Sequence, residues 1–136
     1  MKIFPEKIKN IAFVATSGIP NLVKIKDAVT YLENNGYKVV VKKSVNERID
    51  SSYLASNIKT MIDDIHDCWD DEKIDMIIAA RGGFGSAHLL SYLNWDLLRT
   101  RNIPFLGYSD LTALHLGMCA KGIGCPLSGP MIQNFH

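Results

Sequence analysis

Apolar and polar positions alternate between two periods along the chain. The run Ile8 to Ala15 is apolar apart from Lys9 and Asn10 and ends in Thr16-Ser17-Gly18-Ile19-Pro20, which closes a strand and opens a turn. Leu22, Ile25, Val29 and Leu32 then recur at helical spacing behind Asn21, a favoured N-cap, and Asn34-Asn35-Gly36 supplies the stop. Tyr37 to Val41 is short and β-branched and predicts a second strand; Lys42 to Asp50 is mixed and polar and predicts a loop. The stripe Leu54, Ile58, Met61, Ile62, Ile65 and Trp69 predicts a core-facing helix that begins near Ser51 or Ser52.

The second half repeats the alternation. Ile74 to Ala80 is apolar throughout apart from Asp75, as a parallel strand covered on both faces requires. A short helix over Ser86 to Leu93 follows, broken at Asn94-Trp95-Asp96, with a further turn over Leu97 to Arg101. A strand at Ile103 to Leu106 leads to Gly107 and to a helix over Asp110 to Lys121 that buries Leu111, Leu114 and Met118. Cys125 to Ser128 makes a last strand. Strands alternating with helices across short connections predict a single doubly wound α/β domain over 1–136, Rossmann- or flavodoxin-like, its sheet mainly parallel with helices on both faces.

Length and composition agree with one soluble domain: 136 residues, 47% apolar and 21% charged. A net charge of +1 without a basic stripe gives no footprint for nucleic acid, and no apolar run is long enough to span a membrane. With no signal-peptide pattern, the expected address is cytoplasmic. Cys68, Cys119 and Cys125 are odd in number and share no C-x-x-C spacing, so reduced, mostly buried thiols are expected rather than disulfides or a zinc site. The acidic residues from Asp63 to Asp75 lack the spacing and central glycine of a calcium loop, and no metal or cofactor is expected.

Two loops carry candidate chemistry. Arg81-Gly82-Gly83-Phe84-Gly85-Ser86 and Gly107-Tyr108-Ser109-Asp110 each follow an apolar strand, so both leave the carboxyl edge where open α/β sheets bind ligands. The glycine loop is no Walker A motif, because Ala87-His88 replaces the Lys-Ser or Lys-Thr pair, and it follows the third strand rather than the first, against a dinucleotide fingerprint. Ser109 sits at a strand-to-helix corner, the mount of an activated serine, yet by spacing alone Ser109 or Asp110 reads as a helix cap.

The wording of the two loops, ARGGFGSAHLL and PFLGYSDLTALH, resembles the N-terminal half of the LD-carboxypeptidase family, cytoplasmic serine peptidases that remove the terminal D-alanine from cell-wall tetrapeptides. The resemblance implies Ser109 as nucleophile, the backbone N–H groups of Gly83 and Asp110 as the oxyanion hole, and Arg81, Gly82, Phe84 and Gly85 as a substrate-binding loop. It also implies a glutamate and a histidine from a C-terminal domain that these 136 residues do not contain. None of His66, His88, His115 and His136 matches the family's catalytic histidine, and structural or solvent roles are expected for them. Two functions stand on this reading. The chain is the nucleophile-bearing half of a cell-wall peptidase, inactive until a C-terminal half is supplied, or it is a non-catalytic module that keeps the crevice. With an interface uncovered, a homo-oligomer is expected.

Overall fold

A computed structural model describes residues 2–135. Five strands, β1 (Asn10–Val14), β2 (Lys38–Val41), β3 (Met76–Ala79), β4 (Pro104–Gly107) and β5 (Cys125–Ser128), form one sheet in the order β2-β1-β3-β4-β5. Every pairing is parallel; Ile11 sits opposite Val39 on one side and Met76 on the other, and Phe105 pairs with Ile77 and Pro126. The inner strands are the uninterrupted apolar runs of the sequence, and Ile11 to Val14 and Met76 to Ala79 are buried. The outer strands are only partly covered. Pro126 fits there, since an edge strand does not need the N–H that proline lacks.

The order reverses between β1 and β3, so α1 (Leu22–Asn34) runs toward one edge while the later helices run toward the other. With right-handed crossovers this places them on opposite faces. Accordingly α1 packs with the 3-10 turn Ile132–Asn134, whereas α3 (Ile58–Asp70), α4 (Trp95–Leu98), α5 (Leu111–Ala120) and the 3-10 turn Ser86–Leu89 touch one another. The Asn21 side chain accepts hydrogen bonds from Val23 and Lys24 N–H, as the N-cap reading requires. The buried line of α1 is Ile25, Ala28 and Leu32, with Leu22 rotated outward and 45% exposed.

Several elements depart from the sequence pattern. The stretch read as a loop contains a one-turn helix, α2 (Lys43–Asn46), because Ser44 N–H donates to the buried Asp64 carboxylate at 2.7 Å and Ser44 Oγ accepts from Ala15 N–H at 3.0 Å. Helix α3 begins at Ile58, where Asn57 accepts from Thr60 N–H, and not near Ser51. Ser51 Oγ is instead occupied by the N–H groups of Tyr53 and Leu54 in a local turn, and Leu54 bridges to Gly18. Only Ser86–Leu89 of the expected Ser86 to Leu93 helix is regular, as a 3-10 turn, and α4 occupies Trp95–Leu98 instead of a turn over Leu97 to Arg101. Of the cysteines, Cys68 is buried, Cys125 partly covered and Cys119 exposed, so the expectation of mostly buried thiols holds for Cys68 alone. Burial pushes the Cys68 thiol up to about 12.

Among the described residues, no helix is long and apolar enough to cross a membrane.

Candidate active site

Strands β1, β3 and β4 are neighbours, so the loops that leave their carboxyl ends at Val14, Ala79 and Gly107 converge at the reversal of strand order. Sequence distance is closed there by short contacts. Gly18 N–H donates to Gly82 C=O at 3.3 Å, Ile19 N–H to Tyr53 C=O at 2.9 Å, and Ala55 N–H to Ser17 C=O at 3.0 Å.

Ser109 has φ +59°, and among the described residues it is the only non-glycine with positive φ. An L residue in this conformation carries roughly 1–2 kcal/mol of steric cost. The corner follows from what flanks it. A Cβ on Gly107 would stand 2.3 Å from Leu111 Cδ2 and 3.2 Å from Ala79 Cβ, so the bare backbone here leaves room for the Leu111 side chain against the end of β4. A Cβ on Gly82 would stand 3.1 Å from both Cβ and Oγ of Ser109. The glycine loop therefore lies with bare backbone against the serine side chain, which places the two sequence motifs side by side. The backbone N–H groups of Gly83 and Asp110 are among those with no acceptor within the described residues.

Asp110 overturns the cap reading. It stands before α5, but its side chain caps nothing: Oδ2 accepts from Ser17 Oγ at 2.5 Å and from Ser86 N–H at 2.9 Å. The Ser86 hydroxyl donates back to the Asp110 carbonyl. The first amides of α5 are satisfied by tight backbone bonds instead, Thr112 N–H to Ser109 C=O and Ala113 N–H to Asp110 C=O. Ser109 makes no cap either; it is the corner itself.

The remaining loop residues divide into braces and surface. The Arg81 guanidinium donates to Gly82 C=O at 3.2 Å and to Ile19 C=O at 3.1 Å, holding the loop to the segment after β1. Gly85, at φ +131°, lies under Leu54. Phe84 is 62% exposed, its ring tilted against Tyr53 and edge-on to His88. The Tyr53 hydroxyl covers Gly83, where a Cβ would come within 2.5 Å of it. His66 Nε2 accepts from Asn94 N–H, and His115 is buried edge-on to Phe105. None of these three histidines hydrogen-bonds to Ser109 among the described residues, and His88 stands exposed beside the glycine loop; His136 lies outside the described residues.

Residues 11–127 match the model of the LD-carboxypeptidase N-terminal domain. The chain belongs to the LD-carboxypeptidase family. It is 27% identical over 123 residues to the probable murein peptide carboxypeptidase of Bacillus subtilis, a match covering 90% of this chain and 38% of that protein. Its fold superposes on the MccF-like protein of Bacillus anthracis with a TM-score of 0.84 at 29% identity, covering 96% of this chain and 40% of the other. For the muramoyltetrapeptide carboxypeptidase of Oxalobacter formigenes the TM-score is 0.80 at 26% identity, covering 93% and 41%. The chain thus spans about two-fifths of the length of the relatives it matches.

In this chain of the LD-carboxypeptidase family the motifs contain Ser109, the glycine loop and Ser86 but not Ser17 or Tyr53, and they assign no role to Ser86. Ser17 left one trace in the sequence: it lies in the segment Thr16-Ser17-Gly18 that follows the apolar run ending at Ala15. Ser86 closes the glycine-loop motif, and Tyr53 left no trace that separates it from other loop residues.

Proposed function

We propose that this chain supplies the nucleophile and the oxyanion donors of a serine-type LD-carboxypeptidase that removes the terminal D-alanine from cell-wall tetrapeptides. The observation that carries the reading is the left-handed Ser109 corner lying against the Gly82 backbone. In this reaction Ser109 Oγ attacks the scissile carbonyl. The N–H groups of Gly83 and Asp110 receive the oxyanion, and a bare glycine backbone lets that oxygen approach. Arg81, Gly82, Phe84 and Gly85 form the substrate-binding loop, with Phe84 as its exposed rim and Arg81 and Gly85 holding it in place. Metal and cofactor have no part in these steps.

A serine hydroxyl needs a base. The bond of His66 to Asn94, the burial of His115 against Phe105 and the lack of any bond from His88 to Ser109 support a base that comes from a second half of the protein, a histidine oriented by a glutamate. The exposed rings of Tyr53, Phe84 and Tyr108 support an interface for that half at the same edge. Left uncovered, this rim favours self-association, and the reading carries a cytoplasmic address with it.

The test is release of D-alanine from a murein tetrapeptide by the chain alone and by the chain joined to a Glu- and His-bearing C-terminal half. Loss of the base costs on the order of 10⁶ in kcat in a subtilisin, so the chain alone should be silent. The joined protein should turn over, and Ser109→Ala should abolish it. Turnover that survives Ser109→Ala would refute the reading, as would robust hydrolysis by the chain alone that is lost on replacing His66, His88 or His115.

A further inference from the structure

The Asp110 carboxylate occupies a position where aspartate usually caps a helix, yet it faces away from α5 and ties together the loops after β1, β3 and β4. We propose that Asp110 is the positioning residue of this site: through Ser17 and Ser86 its side chain sets the glycine loop against Ser109. The proposal rests on the reading of Ser109 as the nucleophile.

Three observations carry it. A single oxygen, Oδ2, takes a donor from each of two loops, the Ser17 hydroxyl and the Ser86 amide. The link to the glycine loop is double, because the Ser86 hydroxyl also donates to the Asp110 carbonyl, so the loop is fixed in orientation as well as in distance. Both serines are fully buried and the Asp110 carboxylate is half-buried, which limits the water that can compete for these bonds. A strained conformation persists only where its surroundings over-determine it. Ser109 directly precedes the tied residue, and Gly83 lies three residues before Ser86, so one carboxylate fixes the chain next to both ends of the candidate oxyanion hole.

Asp110→Asn keeps an oxygen that can accept both donors, whereas Asp110→Ala removes it. Hydrogen exchange of the full chain, with global stability followed by urea unfolding, reads the tie directly. Asp110→Ala should speed exchange of amides 82–86 and 108–112 by about tenfold or more beyond any change in global stability, and Asp110→Asn should restore most of the protection. In the chain joined to a Glu- and His-bearing half, Asp110→Ala should lower kcat on the order of 10²-fold with KM held, and Asp110→Asn should recover much of it.

Wild-type exchange in both loops of Asp110→Ala, or an Asn variant no better protected than Ala, would overturn the proposal. Loosened loops with unchanged kcat would also overturn it, leaving Asp110 a structural tie. An inactive wild-type joined protein would instead count against Ser109 as nucleophile, and the exchange result would still decide whether Asp110 couples the loops.

Discussion

Gly82 lies so close to Ser109 that a single added carbon, placed on its α-carbon, would stand 3.1 Å from the serine Oγ. The φ of Gly82 is not in the left-handed region, so its lack of a side chain answers to the neighbour and not to the backbone. Gly82→Ala should therefore displace the nucleophile more than it weakens the fold. In a protein joined to its second half we expect turnover to fall on the order of 10²-fold, with unfolding free energy changed by less than about 1 kcal/mol. A loss of stability large enough to account for the lost activity would contradict this.

Ser109 itself is expected to trade stability for function. At φ +59° a glycine avoids the steric cost that serine carries, roughly 1–2 kcal/mol, while adding about 0.5–1 kcal/mol of unfolded-chain entropy. Ser109→Gly should thus stabilise the chain by roughly 0.5–1 kcal/mol, a rise of about 2–4 °C in Tm for a domain of this size. Ser109→Ala keeps the Cβ and should bring no such gain. Thermal unfolding of the two variants side by side checks the difference, and equal Tm values would remove strain from the account of this corner.

What the sequence made legible was what local pattern determines. The inner strands are continuous apolar runs, and α1 opens at Asn21 with its own cap, so both could be read without knowledge of the rest. Helix α2 could not, because its first turn is held by Asp64, 20 residues further on. The start of α3 was read near Ser51 or Ser52, but Ser51 is taken up by the turn it makes with Tyr53 and Leu54, and the cap falls to Asn57. The site divides in the same way. Glycines and a serine after apolar strands form a local motif, while the partners of Asp110 lie 93 and 24 residues away along the chain.

Away from the site, Arg101 holds the turn between α3 and β3. Its guanidinium donates to the carbonyls of Trp69, Asp71 and Ile74 at 3.1, 2.9 and 2.7 Å, with longer bonds to those of Cys68 and Glu72. A planar fork of donors fits this cluster, and a lysine ammonium does not. Arg101→Lys should lose most of the stabilisation and Arg101→Met all of it, about 2 kcal/mol in urea unfolding. A lysine variant as stable as wild type would show that the charge, and not the fork, matters here.

His115 should make the fold sensitive to mild acid. Its ring is 8% exposed and packs edge-on to Phe105, and Nε2 has no hydrogen-bond partner. Burial lowers its pKa below the usual 6.5, and a hydrogen bond with the Phe105 backbone only partly opposes this. The sign follows from proton binding. Above 6.5 the imidazole is neutral in both states and its contribution to stability is fully present. As pH falls below that value the unfolded chain takes up a proton that the native chain refuses, so stability drops until the native ring protonates as well. Urea midpoints followed from neutral pH down through this window should therefore decline. His115→Leu, which fills the site without a titrating group, should flatten the part of the decline that belongs to this residue, whereas His66→Gln should leave that part in place. An unchanged slope in His115→Leu would assign the acid sensitivity to another group.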